Sequence, residues 1–506
     1  MTTVMEPVAG AVDMVAAREM FRYPAETAVS RPALWERLAG AARVTVVSAP
    51  AGTGKTVLLR SWIGATGLAR RAAWVPVGRD ERDPRRFWVS VVGGLRHTAA
   101  GSELVREAPD QDGWAIVERL LKDLARLPDR VWLVIDDVHE LRSAEALAQL
   151  ELLVLRAPDT LRLVMATRRD LRLGLHRLRL EGQLTEIRAA DLRFTEDETR
   201  DMLHAAGVRL PKPALARLHE RTEGWAAGLW LAASSLAGHP DPERFVAQFS
   251  GSERTVAGYL LAEVLDRQSE QARQLLVRTS VCTSVCERIT GELADLLTGG
   301  SGGERILQDL EEAGAFVVAV DARRSWFRYH PLFADLLQLE LRCAEPADLA
   351  SLHGAAAGWF AAHGYPVEAI RHAQAAQDWT MAARLLSDHF FGLVRDGQGA
   401  VADGLLAGFP AALHAADPRL ARLTAVGNAA APQPGEPGLR EPISRSEARV
   451  LRLLPTNLSG PEIADQLSVS VTTVRTHMRR LYEKLGVHSR TEAVEQARTL
   501  GLFAAS

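Results

Sequence analysis

The sequence predicts a multidomain chain. It begins with an α/β unit on a parallel sheet and passes through α-helical and winged-helix units. A short helical-repeat region and an all-α four-helix unit at the C-terminus complete it. Three observations predict this order. Short apolar runs alternate with longer polar–apolar stretches through the first 190 residues. Two β-type runs flank a polar turn near residue 322. Three Ser-x-x-Glu patterns follow the break Pro432-Gln433-Pro434-Gly435-Glu436-Pro437-Gly438. At 506 residues the chain is too long for one domain of roughly 100–200 residues.

The α/β part rests on residues 44–47, 73–77, 131–135 and 161–166. Each is a short apolar run and three of them are rich in β-branched residues, as strands buried on both faces require. The helical stretch after each run fits crossover connections. Residues 195–310 read as helical. Residues 316–320 and 326–329, around the turn at 321–324, read as a β-hairpin, with a helix starting near Pro331. Helices with a terminal hairpin suggest a winged helix. The pieces 355–363, 366–377 and 379–389 are Ala-rich, amphipathic and read as paired helices. With three prolines and two glycines in seven residues, 432–438 is a linker. The expected divisions are 1–195, 196–275, 276–342, 343–430, a linker at 431–441, and 442–506.

Composition excludes several classes. Apolar residues make up 47% and charged residues 24%, with a net charge of −3, so the chain as a whole does not advertise a polyanion partner. Cys282, Cys286 and Cys343 form neither a disulfide framework nor a metal set and are expected to be ordinary thiols. No run of about 18 uncharged apolar residues occurs, and the first residues lack a basic stretch before an apolar core. No membrane partner and a cytoplasmic location are expected.

The strongest chemical signal is Ser48-Ala49-Pro50-Ala51-Gly52-Thr53-Gly54-Lys55-Thr56 between a strand and a helix. Gly52 and Gly54 let the backbone of Gly52, Thr53 and Gly54 turn its N–H groups inward around phosphate oxygens. The helix N-terminus adds partial positive charge. Lys55 would reach the outer phosphates and the Thr56 hydroxyl would hold Mg²⁺. The pattern ordinarily starts with Gly, and here Ala49 stands there. The run 131–135 ends in Asp136-Asp137. Asp136 suits the Mg²⁺ shell, and Asp137 could polarise an attacking water. Arg168, after the run 161–166, could sense a terminal phosphate. The expectation is a P-loop NTPase using ATP/ADP and Mg²⁺, at most a slow ATPase.

The C-terminal unit has its own logic. Ser444, Ser459 and Ser489 each begin a Ser-x-x-Glu capping box, and Ser470 caps a fourth helix. After Ser470, Val471, Val474, Met478, Leu481 and Leu485 form one apolar stripe. Thr472, Thr476 and Arg479 fall opposite it, with Arg475 and Lys484 on the flanks. Arg475, Arg479, Arg480 and Lys484 face one acid, Glu483, before Gly486. A short helix, a tight turn and a basic second helix describe a helix-turn-helix. Arginine suits bidentate contact with guanine. Lys484 and the hydroxyls of Thr472 and Thr473 suit phosphates.

The residues Glu462-Ile463-Ala464, Thr473-Val474-Arg475-Thr476-His477 and Lys484-Leu485-Gly486-Val487 resemble the LuxR-type helix-turn-helix. The N-terminal part resembles MalT-like large ATP-binding LuxR regulators, a branch of the STAND signalling NTPases. That likeness lies in 47–52, in Glu223-Gly224-Trp225-Ala226-Ala227-Gly228-Leu229 and in Tyr329-His330-Pro331-Leu332-Phe333. The resemblance implies a transcription activator held closed by ADP and opened by ATP. It implies self-association, double-stranded promoter DNA and RNA polymerase as partners. It also implies that His330 faces the ADP phosphate and that Arg31 lies near the nucleotide. The alternative is a constitutive DNA-binding regulator whose nucleotide site is structural. Family members carry a longer helical-repeat region than the one read here.

Overall fold

The computed structural model describes residues 29–40, 42–79, 81–101, 112–286 and 288–430, and within the C-terminal part 445–454, 463, 471–485, 487 and 490–499. The chain packs as two units, Met1–Leu385 and Leu386–Ser506.

The first unit opens on a five-stranded parallel sheet: β1 (Val44–Ser48), β2 (Ala72–Pro76), β3 (Val131–Asp136), β4 (Leu161–Thr167) and β5 (Leu184–Arg188), in the order β2-β3-β4-β1-β5. β1 and β4 are buried along their whole length and β3 at all but Trp132, which is why each reads as a continuous apolar run. β5, Leu-Thr-Glu-Ile-Arg, was not legible as a strand. It is an edge strand with only Ile187 fully buried, so its sequence carries polar residues that a central strand excludes.

Alternate residues of each strand feed two cores. Val131, Leu133 and Ile135 pack with Phe87, Trp88 and Val91 of helix Pro84–Arg96 and with helices Gly113–Leu124 and Ala144–Arg156. Val134, Val47 and Val164 pack on the other face against Leu58, Leu59 and Trp62 of helix Lys55–Ala65. Period-two alternation therefore sets three layers, helix–sheet–helix. The carboxyl ends of β1, β3 and β4 come side by side, where open α/β sheets place their ligands.

Helices from Glu196–Ala205 to Arg254–Glu263 follow. Thr195 starts the first with a capping box closed by Glu198. A three-stranded antiparallel sheet, β6 (Ile289–Thr290), β8 (Trp326–Tyr329) and β7 (Val317–Ala319), then joins helices Glu270–Thr283, Gly291–Thr298, Gly303–Glu312 and Pro331–Ala344. This is the winged helix, and the expected hairpin is β7–β8. β6, two residues long, gave no signal of its own. Helices Leu349–Ala362 and Pro366–Ala375 pair as an antiparallel hairpin.

In the second unit, helices Arg445–Leu453, Val471–Leu485 and Arg490–Thr499 begin one residue after Ser444, Ser470 and Ser489. Those serines, Ser459 and the linker 431–441 lie outside the described residues. Val474, Leu481 and Leu485 of the expected stripe are buried with Val450, Leu451, Ile463, Ala493 and Ala497, and Met478 packs against them. Among the described residues, no helix is long and apolar enough to cross a membrane.

Candidate functional site

The loop between β1 and helix Lys55–Ala65 has the geometry of a phosphate cradle. Gly52 (φ 71°) and Gly54 (φ 84°) both take the left-handed conformation. Space also forbids a side chain at Gly52, where a Cβ would stand 2.7 Å from Cβ of Ala227 and 2.8 Å from Nε1 of Trp225. Gly54 is the N-cap and supplies no side-chain cap, so the first-turn N–H groups are left to a ligand.

Lys55 is buried and donates from Nζ to the carbonyls of Ala49 (2.7 Å) and Pro50 (2.8 Å). Burial, and then the charge of Arg168, bring its pKa down to about 7. Thr53 Oγ1 closes the turn on Pro50 O at 3.0 Å. The Thr56 hydroxyl donates to Oδ2 of Asp136 at 2.8 Å, across 80 residues of sequence. A hydroxyl and a carboxylate this close are the pair that one divalent cation would bridge. Burial and the neighbouring Asp137 raise the pKa of Asp136. The donor set thus fits a Mg²⁺-nucleotide: N–H groups and an ammonium for phosphates, a hydroxyl and a carboxylate for the cation.

Asp137 sits just past β3 in a left-handed conformation (φ 57°) with its carboxylate half exposed. Its Oδ1 is 3.8 Å from Nδ1 of His139. The sequence reading passed over His139. It is 7% exposed, and neither ring nitrogen has a hydrogen-bond partner among the described residues. Burial, with Arg168 and Lys55 nearby, brings its pKa down to about 3 and keeps it neutral. The only sequence signal was its place two residues after Asp137. Arg168, at the end of β4, pairs with Glu263 at 2.8 Å.

The helical and winged-helix domains form the other wall. Trp225 donates from Nε1 to Ala51 O (3.1 Å), and the Ala227 N–H donates to Gly52 O (2.9 Å). The segment 223–229 thus grips the loop by its carbonyls, with one side-chain and one backbone donor. His330 is buried against Trp225 and Phe316, ring centroids 5.9 and 5.5 Å away. Its Nδ1 accepts from the Leu332 N–H, capping helix Pro331–Ala344, and its Nε2–H donates to Thr222 O at 3.0 Å. Both nitrogens are engaged within the protein, and the His330 ring packs against Trp225, which in turn holds the loop. Arg31 likewise bonds Glu198 (2.9 Å), Leu192 O (2.8 Å) and Arg193 O (2.9 Å) and covers the Phe194 ring. It ties the segment before the sheet to the turn after it.

In the C-terminal unit Arg479 and Arg480 are exposed on helix Val471–Leu485. The side chains of Thr472, Thr473, Arg475 and Thr476 lie outside the described residues. Lys484, expected at a DNA phosphate, pairs with Glu447 at 2.9 Å, the two side chains being 17% and 3% exposed. A carboxylate that deep demands a cation, so Lys484 holds the first helix, Arg445–Leu453, to helix Val471–Leu485. Arg490, which the sequence did not single out, donates from Nε to Leu454 O (2.9 Å) at the end of that first helix.

Three segments of the chain match known families. Residues 38–173 match the AAA domain, 261–349 the MalT winged helix domain and 441–497 the bacterial regulatory proteins of the luxR family. The HTH-type transcriptional regulator MalT of Yersinia enterocolitica is 30% identical over 410 residues, 79% of this chain and 45% of that protein. MalT of Serratia proteamaculans is 31% identical over 411 residues, with the same coverage. The serine/threonine-protein kinase PknK of Mycobacterium tuberculosis is 33% identical over 374 residues, 72% of this chain and 33% of that protein. The chain therefore spans between a third and just under half the length of these relatives. Among solved structures, a Walker-type ATPase (PABY2304) of Pyrococcus abyssi aligns with a TM-score of 0.44 at 12% identity, covering 61% of this chain and 96% of that one. The chain is MalT-like: it joins an AAA domain, a MalT winged-helix domain and a C-terminal LuxR-family helix-turn-helix domain, with MalT homologues at about 30% identity over 79% of its length.

Proposed function

We propose that this chain is an ATP-switched, sequence-specific DNA-binding transcription regulator that acts as an activator in the cytoplasm. The observation that carries the proposal is the clamp on the phosphate loop. The NTPase domain supplies the cradle, and the helical domain grips the same loop through Trp225 and Ala227. A change at the phosphates therefore acts on a second domain, in a chain that also carries a helix-turn-helix.

A bound Mg²⁺-nucleotide would supply the charge that sets the state of the switch and, as ATP, the bond that is slowly hydrolysed. Lys55 would exchange the carbonyls of Ala49 and Pro50 for phosphate oxygens. The N–H groups of Gly52, Thr53 and Gly54 would hold the inner phosphates. Thr56 and Asp136 would hold the cation, and Asp137 would orient and deprotonate a water. Arg168 would register the terminal phosphate. Arg31 and His330 would belong to the nucleotide site, His330 towards the ADP phosphate. On the DNA side Arg479 reads bases from the major groove with Thr476 on the same face, Arg475 works from the flank, and Thr472 and Thr473 meet phosphates. Self-association in the ATP form and contact with RNA polymerase complete the proposal.

The test is the affinity of the purified protein for its own upstream DNA, with ATP and then ADP, at one salt concentration. Tighter binding with ATP supports the switch. Equal binding would make the nucleotide site structural. Arg479→Ala should abolish promoter binding and leave nucleotide binding intact. Full promoter affinity in that variant would refute the assigned recognition helix.

A further inference from the structure

Helix Arg254–Glu263 and the turn after it lay one face along the phosphate site. Tyr259 and Glu263 are spaced by four and so share that face, and Arg267 of the turn Leu265–Arg267 reaches back to it. The Tyr259 hydroxyl stands 2.8 Å from where a Cβ on Gly52 would lie. Glu263 Oε2 lies 2.8 Å from Nη1 of Arg168 and 2.9 Å from Nη2 of Arg267. Arg267 in turn lies 3.7 Å from Glu140, beside His139. Arg168, Glu263, Arg267 and Glu140 line a cleft of about 420 Å³ that Ala51 of the loop and Gly314 of the winged helix also border.

The charges in this cleft need balancing. Arg168 is close enough to Lys55 to oppose its positive charge, and the first-turn N–H groups add to the same field. Glu263 is the carboxylate that Arg168 holds in its place, and it comes from the helical domain rather than from the NTPase domain. An anion arriving beside Arg168 would meet Glu263 as a like charge.

We infer that Glu263 is the residue by which the site tells a nucleoside triphosphate from a diphosphate. Its carboxylate satisfies Arg168 in the present arrangement, and a terminal phosphate has to displace it. A diphosphate makes no such demand and leaves the contact between helix Arg254–Glu263 and β4 intact. Displacement of Glu263 frees that helix from β4, so one ion pair couples nucleotide identity to the fit between two domains. The inference rests on the reading of Arg168 as the phosphate-sensing arginine.

The experiment uses the full chain with Mg²⁺-ADP and Mg²⁺-adenylyl imidodiphosphate as probes. Affinities are measured by displacement of a fluorescent nucleotide from wild type, Glu263→Gln, Arg168→Ala and the double variant. Glu263→Gln should raise triphosphate over diphosphate affinity about tenfold, equivalent to 1.4 kcal/mol. In the Arg168→Ala background it should change nothing. Glu263→Asp, whose shorter reach weakens the pair, should shift the ratio the same way by less. It serves if Glu263→Gln does not fold. An unchanged ratio in both Glu263 variants, with Arg168→Ala losing triphosphate affinity, overturns the inference alone. If Arg168→Ala keeps full triphosphate affinity, the reading of Arg168 fails and the inference with it.

Discussion

Replacing Lys55 with methionine should abolish nucleotide binding and yet leave the nucleotide-free protein at least as stable as wild type. The structure supplies the magnitudes. Lys55 is 7% exposed, and its pKa falls from 10.5 to about 7 because burial and Arg168 oppose the ammonium. Such a fall costs the folded state roughly 5 kcal/mol at low pH. Methionine removes that cost and fills similar space. Against this, the carbonyls of Ala49 and Pro50 lose their donor, at about 1 kcal/mol each. A net gain of about 2–3 kcal/mol follows, roughly 5–10 °C in Tm for a domain of this size. The pH dependence fixes the sign. The folded pKa is depressed, so the unfolded chain binds more protons between pH 7 and 10.5, and wild type gains stability as pH rises through that window. The advantage of Lys55→Met should therefore be largest below pH 7 and shrink towards pH 10. Thermal melts at pH 6.5, 7.5 and 9, with and without Mg²⁺-ADP, measure both effects. Wild type should rise in Tm with nucleotide by mass action while the variant does not. A nucleotide-free variant melting several degrees below wild type at pH 6.5 would refute the reasoning, because it would make Lys55 a structural keystone.

Thr56→Val removes the hydroxyl facing Asp136, so nucleotide affinity should fall and lose most of its dependence on Mg²⁺. Titrations in Mg²⁺ and in EDTA check this, and an undiminished Mg²⁺ effect would sink the assignment. Glu447→Gln leaves the Lys484 ammonium half-buried beside a neutral partner, at roughly 2–3 kcal/mol. DNA binding should then fail together with the urea midpoint of the C-terminal helices. Full stability with lost DNA binding would instead return Lys484 to the DNA surface. Burial holds His139, and His372 buried on helix Pro366–Ala375, at about 3 and His330 at about 4. All three lie below the unfolded value, so they favour the folded state above about pH 6.5 and that contribution is lost as pH falls towards 4 and then 3. His330→Asn keeps a capping side chain and should flatten the part of that acid loss above pH 4, seen as a smaller drop in Tm between pH 6.5 and 4. An identical profile would contradict the assignment.

Local chemistry was legible from sequence. The phosphate loop announced itself because Gly52, Gly54, Lys55 and Thr56 are neighbours along the chain, and each does its work through local conformation. β1, β3 and β4 were legible because strands buried on both faces must be apolar throughout. β5 and β6 were not, because an edge strand and a two-residue strand carry no such demand. The starts at Arg445, Val471 and Arg490 were legible because a serine stands one residue earlier in the sequence at each, where a capping residue is expected.

The tertiary structure decided which charges face one another. Thr56 and Asp136 are 80 residues apart, Lys484 and Glu447 are 37, and Arg168 and Glu263 are 95. No periodicity spans such distances. Lys484 and Arg31 look alike in sequence, two cations beside expected polyanion sites. Packing pairs each with a carboxylate, Glu447 and Glu198, that no sequence pattern announces. His330 and His139 were separated in the same way, one as a helix cap with both nitrogens engaged and the other with neither hydrogen-bonded among the described residues. The sequence alone determined which residue types stand in each turn and strand, because conformational preference acts over a few residues. Which of them become ligands, caps or buried ion pairs was decided only by tertiary structure, because desolvation and Coulomb energy depend on distance in space.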